Sequence, residues 1–191
     1  MELRTAIDEF VLYSEIEKNY SVNAAISYEY DLQLFFYFLI DRGCSTRLNK
    51  ITKTQVRRFI QYLIGSVKQK PRSVNRKISS LKSFAKYGIK ERYLTNDFMH
   101  GIETPKMDDK LPTYMTLSDL QQLFSYLERD QSRFSTRNEL MFKLLATTGL
   151  RRSELVSLTW EQIDLNNETI RIDGKGKKNG YCPFIRASYR F

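Results

Sequence analysis

The segment 141–178 constrains the fold most, because its pattern changes from helical to alternating periodicity within one short stretch. Its first part predicts a helix, since Leu140, Leu144 and Leu145 recur at helical spacing. Gly149 follows, and glycine most often supplies the left-handed residue that closes a helix C-terminus. The segment therefore predicts a helix and a turn, followed by a region of different structure.

A second helix is predicted directly after this turn, with Ser153 as its N-cap. Arg151 and Arg152 would then lie just ahead of the amino end of this helix. A guanidinium beside unpaired backbone N–H groups is a good phosphate receptor, so one of the two arginines is predicted to point at an anion site. The residues of this helix predicted to face inward are Leu155, Val156 and Leu158.

A β-hairpin is predicted next, because residues 169–172 (TIRI) alternate like a strand. A second strand is predicted over 181–185, after the glycine-rich turn GKGKKNG at 174–180. A lysine at the tip of such a hairpin can reach a group that the arginine holds. The lysines of the turn are Lys175, Lys177 and Lys178.

The motif TTGLRRSELVSLTWEQID, followed by IRIDGKGKKN, resembles the box of the tyrosine recombinases (the phage integrase and Xer group) that carries a catalytic arginine and a hairpin lysine. The resemblance implies that Arg151 binds the phosphate and that Glu154 is the acidic residue that supports it. It also implies that Lys175 protonates the leaving 5′ oxygen. Lys177 and Lys178 make the hairpin basic, and this positive charge predicts that they contact DNA. On the residues alone, an ordinary helix-turn-helix edge with a solvated basic hairpin also fits.

The charge of the chain points to a polyanionic partner. With 191 residues and 41% hydrophobic residues, the chain can form one domain or two small ones with a packed core. Its formal net charge is +9 and its pI is about 9.5, and nucleic acid is the usual partner of such a chain. We therefore expect double-stranded DNA as the partner.

Several other classes of function are disfavoured. His100 is the single histidine, and Cys44 and Cys182 stand alone, so we expect no metal site and no cofactor. The longest uncharged apolar run, 32–40, is far shorter than the ~20 residues that span a bilayer. The first residues lack the apolar core of a signal peptide, so we expect a cytoplasmic protein without membrane contact.

The amino-terminal half predicts four helices. The second is predicted to start at an N-cap Ser21 and to stop at Gly43, and the third to start at Thr52 or Thr54. The fourth is predicted from Pro71 to about Lys90.

The fourth helix separates its residues into an apolar side and a cationic or hydroxylic side, at 100° per residue. A side without acidic residues suits phosphate contacts and fits a DNA major groove, whereas a solvated surface helix usually mixes both signs of charge. The apolar side comprises Val74, Ile78, Leu81, Ala85 and Gly88. The predicted DNA-binding side comprises Arg72, Arg76, Ser79, Ser83, Lys86 and Lys90.

This half is similar to the core-binding, SAM-like domain of the same recombinases, on the segments IDEFVLYSEIEKNYSVNAAISYEYDLQLFFYFLIDRG and NRKISSLKSFAKYGIKERYLTND. The resemblance implies a mainly α fold: a DNA-binding domain of four to five helices, then an incomplete α+β catalytic domain with helices and a β-hairpin. We expect the DNA-binding domain at 1–103, a charged linker with two prolines at 104–116, and the amino-terminal part of the catalytic domain at 117–191.

The family's later catalytic motifs, His/Lys-x-x-Arg and the tyrosine nucleophile, are not found after Lys175, and Tyr189 is interpreted as a tail residue. We therefore expect a truncated site-specific recombinase that is inactive alone. On DNA it would pair with a second copy or with a full-length recombinase. Two alternatives stay open: a non-catalytic DNA-binding module that occupies recombination sites, and a helix-turn-helix transcription regulator.

Overall fold

The computed structural model describes residues 1–106, 113–173 and 179–184. The chain forms two compact units, Met1–Lys110 and Leu111–Phe191. The first unit is helical, and the second combines helices with a small antiparallel sheet. The predicted fold class, mainly α with an α+β second part, is confirmed.

Four α-helices build the described part of the first unit. The third is fixed by a capping box, in which the Thr52 hydroxyl accepts from the Gln55 N–H at 3.3 Å and the Gln55 amide oxygen accepts from the Thr52 N–H at 2.7 Å. The second ends before Gly43, whose φ of +62° is left-handed. The helices are α1 (Leu3–Ile16), α2 (Val22–Asp41), α3 (Lys53–Gly65) and α4 (Pro71–Lys90), with a 3-10 turn at Leu48–Lys50 between α2 and α3.

The core of this unit is rich in phenylalanine. Phe35 and Phe59 are buried with their ring centroids 5.1 Å apart, and Phe10 and Phe84 pack edge to face at 5.5 Å. Each such side chain contributes roughly 1.5–3 kcal/mol through burial, and aromatic pairs add about 0.5–1.5 kcal/mol. The Phe35–Phe59 contact joins α2 to α3, and the Phe10–Phe84 contact joins α4 to α1.

The second unit begins with a capping box at Thr116, whose hydroxyl donates to Asp119 at 2.7 Å. Its sheet has the order β1-β2-β3, with both pairs antiparallel. The helices are α5 (Leu117–Arg129), α6 (Ser135–Thr148) and α7 (Arg152–Val156), followed by a 3-10 turn at Trp160–Gln162. The strands are β1 (Ile163–Asp164), β2 (Thr169–Asp173) and β3 (Asn179–Pro183).

Two details of the predicted hairpin differ from the structure. The second hairpin strand is β3 at Asn179–Pro183, two residues earlier than the predicted 181–185, because it pairs with β2 in the register that joins Asp173 to Asn179. The short strand β1 was not predicted, since two residues carry no detectable alternation. The hairpin itself, β2 with β3, is confirmed.

Candidate nucleic-acid interface

Helix α4 carries a polar face that we call the basic face: Arg72, Arg76, Ser79, Ser83, Lys86 and Lys90. Five of these residues are exposed and Ser83 is half-buried. The opposite side is buried, as the sequence predicts, with Val74, Ile78, Leu81 and Ala85 each at most 1% exposed. Burial of one side therefore determines which residues α4 presents to solvent.

Neighbouring residues determine where α4 begins and how the chain continues after it. Pro71 occupies its first turn, where a missing N–H costs nothing. Near the other end, a Cβ at Gly88 would come within 2.8 Å of Leu94 Cδ1, so a larger residue there would require the Leu94 side chain to move. The N–H groups of Tyr93 and Leu94 donate to the Gly88 carbonyl oxygen at 2.8 and 3.0 Å, which anchors the chain just after the helix.

The cations of the basic face differ in whether they are already paired within the protein. Arg72 and Lys86 make no ion pair with the described residues. Lys90 lies 3.5 Å from a Glu17 carboxylate oxygen and 4.5 Å from the Tyr13 ring centroid. Its pKa is raised, first by its hydrogen bond with the Tyr13 hydroxyl. Lys90 therefore ties α4 to α1, whereas Arg72 and Lys86 are open to an external anion.

A buried charged cluster lies behind the basic face, and the sequence interpretation missed it. Asp31 of α2 is 0% exposed, and its Oδ2 lies 2.8 Å from Arg76 Nη1 and accepts from the Ser80 hydroxyl at 2.8 Å. Lys77 Nζ lies 3.6 Å from Asp31 Oδ1, with the Lys77 side chain only 4% exposed. Arg76 is thus held by α2, which the helical projection alone did not indicate.

The sequence did contain a signal for this cluster. Asp31 interrupts the apolar side of α2, next to Leu32. Lys77 stands three residues after Val74 and four before Leu81, so it shares the apolar side of α4. A charged residue on an apolar side of a helix is usually paired when it is buried.

A second candidate site lies at the start of α7, where Arg151 projects into solvent with 81% of its side chain exposed. Gly149, with φ +67°, closes α6, and Leu150 is buried, so the chain direction is fixed on both sides of the turn. Glu154 binds Arg151 twice: its Oε2 accepts from the backbone N–H and its Oε1 from Nη1, both at 2.8 Å.

These two bonds also favour the ionised form of Glu154. Hydrogen bonds from the Arg151 backbone N–H, and then from its guanidinium, lower the pKa of the Glu154 carboxyl from its ordinary value. Glu154 orients the guanidinium through its contact with Nη1. The remaining N–H groups of Arg151 can bind a phosphate oxygen.

Two predictions about this helix are wrong. Its N-cap is Arg151 rather than Ser153, because the Glu154 carboxylate satisfies the free backbone N–H and Ser153 lies inside the helix. Val156 was predicted to face inward but is 72% exposed, since the helix ends there after only five residues. Leu155 is buried, as predicted.

The turn lysines Lys175, Lys177 and Lys178 lie outside the described residues. The strands that flank them are paired up to Asp173 and Asn179. Support for Arg151 comes from an apolar cluster that joins α6, α7 and the sheet, and that borders a cleft of about 250 Å³. Its buried members are Leu144, Leu150, Leu155, Ile170 and Phe184.

No group of three or more His, Cys, Asp or Glu residues among the described residues could hold a metal ion. Cys44 and Cys182 are both free thiols. Within the described ranges, no helix has the length and apolar character needed to cross a membrane.

The sequence matches two family profiles. The phage integrase N-terminal SAM-like domain matches residues 7–92, and the phage integrase family matches residues 113–191. Among curated proteins, tyrosine recombinase XerC of Anoxybacillus flavithermus is 35% identical over 175 residues, which cover 92% of this chain and 57% of the relative. Tyrosine recombinase XerD of Oceanobacillus iheyensis is 33% identical over 181 residues, 95% of this chain and 60% of the relative.

The fold is similar to those of solved recombinases. The integrase of transposon Tn1549, in complex with circular intermediate DNA, superposes with a TM-score of 0.71 at 16% identity and covers 98% of this chain and 62% of its own. XerH recombinase, in a post-cleavage complex with difH substrate, superposes with a TM-score of 0.67 at 20% identity. The match covers 97% of this chain and 54% of the XerH chain. The chain spans 57–60% of the length of the curated relatives described above. Both halves of the described fold and both sequence profiles agree, and the chain belongs to the phage integrase family of tyrosine recombinases.

Proposed function

We propose that this chain binds duplex DNA as part of a site-specific tyrosine recombinase. Its basic face would lie along the duplex, and Arg151 would hold the phosphate at the exchange site. The observation that carries the proposal is α4, which exposes four cations on one side while its other side is buried. The solved relatives cited above are recombinases in complex with DNA, which supports DNA as the partner.

Each predicted domain has its own proposed role. Residues 1–103 would form the DNA-binding domain, 104–116 the linker and 117–191 the amino-terminal part of the catalytic domain. A single helix fits the major groove, whose width is about 12 Å, and cations along it can contact phosphates on both sides. A second copy of the chain, or a full-length recombinase on the same DNA, would complete the assembly. The proposal places the protein in the cytoplasm, where the DNA is.

The proposed chemistry is phosphodiester transesterification. A tyrosine oxygen attacks the phosphorus to form a phosphotyrosine bond, and the 5′ oxygen leaves with a proton from a general acid. In this chain Arg151 would stabilise charge on a non-bridging oxygen, Glu154 would orient it, and Lys175 would supply the proton. Ser79 and Ser83 would add neutral phosphate contacts beside the cations of α4. No residue of this chain is assigned as the attacking tyrosine.

The basic face can be tested by removing its two unpaired cations. The double variant Arg72→Ala and Lys86→Ala is expected to bind duplex DNA more weakly. Its slope of log K against log[salt] should fall in magnitude by about 1.8, because each lost phosphate contact lowers the magnitude of the slope by about 0.9. Fluorescence anisotropy with a labelled random-sequence duplex, at several KCl concentrations, measures this slope.

A matched control removes two exposed cations from other helices, Arg4 of α1 and Arg57 of α3. This variant has the same net charge as the first one. If the magnitude of the salt slope falls equally in both variants, binding depends on overall charge, and α4 is not the interface. If it falls only in the control, the interface lies on another surface of the first unit.

The phosphate site can be tested with neighbouring arginines. Arg151→Ala should reduce the magnitude of the salt slope by about 0.9, because one phosphate contact is lost. Arg152→Ala removes the same charge one position later, where no described carboxylate orients the guanidinium, and should leave the slope unchanged. A wild-type slope in Arg151→Ala would favour a binding module that uses α4 alone. An equal loss in both variants would contradict a specific role for Arg151.

A further inference from the structure

Asp31 binds two cations, although it carries one negative charge. Arg76 Nη1 lies 2.8 Å from Oδ2, and Lys77 Nζ lies 3.6 Å from Oδ1. The two cations differ in exposure, since 46% of the Arg76 side chain is exposed but only 4% of the Lys77 side chain. Arg76 can therefore reach an external anion, and Lys77 cannot.

The contact between Lys77 and Asp31 is incomplete. Asp31 Oδ1 is buried and accepts no hydrogen bond from the described residues. The separation of 3.6 Å is too long for a hydrogen bond, so the attraction is coulombic. A buried acceptor without a hydrogen bond therefore lies 3.6 Å from a buried donor, and the two must come closer before they form a hydrogen bond.

Arg76 is on the basic face and is also the closest ion-pair partner of Asp31. A phosphate that attracts Arg76 competes with Asp31 for the guanidinium. Leaving a fully buried carboxylate without a cation is strongly unfavourable, and this cost would hold Arg76 in place. A second cation beside the carboxylate removes most of that cost.

We propose that Lys77 is a positioning residue that neutralises Asp31 when Arg76 turns to a DNA phosphate, so that Arg76 is shared between Asp31 and DNA. This inference rests on the proposed DNA-binding function of the basic face. In the free protein, Arg76 is held by Asp31. In the complex, Lys77 closes onto Oδ1, and Ser80 keeps its bond to Oδ2.

The prediction is that a buried lysine changes the salt dependence of DNA binding without touching DNA. In Lys77→Met, Arg76 becomes the sole cation of Asp31 and stays bound to it. The slope of log K against log[KCl] for the full chain on a random-sequence duplex should therefore fall in magnitude by about 0.9, as in Arg76→Ala. Lys77→Arg, which keeps the charge, should retain the wild-type slope.

A rescue separates this mechanism from simple destabilisation. The double variant Asp31→Asn and Lys77→Met removes both buried charges, frees Arg76 and should restore the wild-type slope. Ser80→Ala weakens the cluster without changing its charge, and it should lower Tm while leaving the slope unchanged. A wild-type slope in Lys77→Met, or a double variant that keeps the reduced slope, would overturn the proposal.

A further test uses the wild-type chain and therefore requires no variant to fold. Adding the duplex should shift both the ¹⁵N signal of Arg76 Nε and that of Lys77 Nζ, because both side chains move. A shifted Arg76 signal with an unshifted Lys77 signal would contradict the sharing of Arg76, while DNA binding itself would stand. If neither Arg76→Ala nor the Arg72 and Lys86 variant changes the slope, the proposed interface has failed instead.

Discussion

Raising the KCl concentration from about 50 mM to about 200 mM is expected to lower the affinity of this chain for duplex DNA by about a thousand-fold. The reason is the release of counterions from phosphates that the protein neutralises. With about six contacts at 0.9 each, log K should fall with log[salt] at a slope of about −5. The six cations proposed for these contacts are Arg72, Arg76, Lys86, Arg151, Lys177 and Lys178.

Anisotropy titrations at five or more salt concentrations measure this slope directly. The net charge of +9 alone would give weak, diffuse attraction, so the variants of Arg72 and Lys86 are needed to locate the contacts. A binding constant that changes less than tenfold over the same range would contradict a phosphate-dominated interface. Such a result would direct attention to an apolar or protein partner.

The largest effect on stability is expected for Asp31→Ala, which should lower the free energy of unfolding by about 3–5 kcal/mol. This change leaves Lys77 buried at 4% exposure without its carboxylate. It also removes the nearer acceptor of the Ser80 hydroxyl, which keeps only the Arg76 carbonyl oxygen at 3.2 Å. Arg76 is half exposed and can turn to solvent, so most of the loss should come from Lys77. For a small domain, this is a large part of the total stability.

Chemical denaturation of the wild-type chain and the variant measures the loss as a shift in midpoint at constant m-value. Asp8→Ala is a suitable control, because Asp8 is an exposed aspartate of α1, and surface changes usually stay within ~0.5 kcal/mol. Adding Lys77→Met to Asp31→Ala should recover part of the stability, since no unpaired buried charge remains. A loss in Asp31→Ala no larger than that of Asp8→Ala would show that the cluster contributes nothing to the fold.

Local patterns in the sequence were sufficient for most of the elements. The predicted bounds of α4, Pro71 and Lys90, agree with the structure, because a proline start and a regular apolar side are both short-range signals. Thr52 and Gly43 likewise act on residues within one turn. Strand β3 was predicted two residues too late, because its register depends on pairing with another strand rather than on its own residues.

The candidate sites were predicted less completely. The position of Arg151 after the Gly149 turn followed from the sequence. Its two hydrogen bonds to the Glu154 carboxylate did not, since a side chain can cap the same turn in several ways. On α4, the sequence identified the exposed side. It did not identify Arg76 as an ion-pair partner of a buried carboxylate.

Local sequence thus determined the helices, the basic face of α4 and the turn that presents Arg151, because each depends on residues a few positions apart. Only the tertiary structure decided how freely the cations can act. Asp31 and Ser80 are separated by 49 positions, and their contact exists because α2 and α4 pack together in one core. Burial in that core removes water from Asp31 and Lys77, so each charge must be balanced by a partner that periodicity does not reveal.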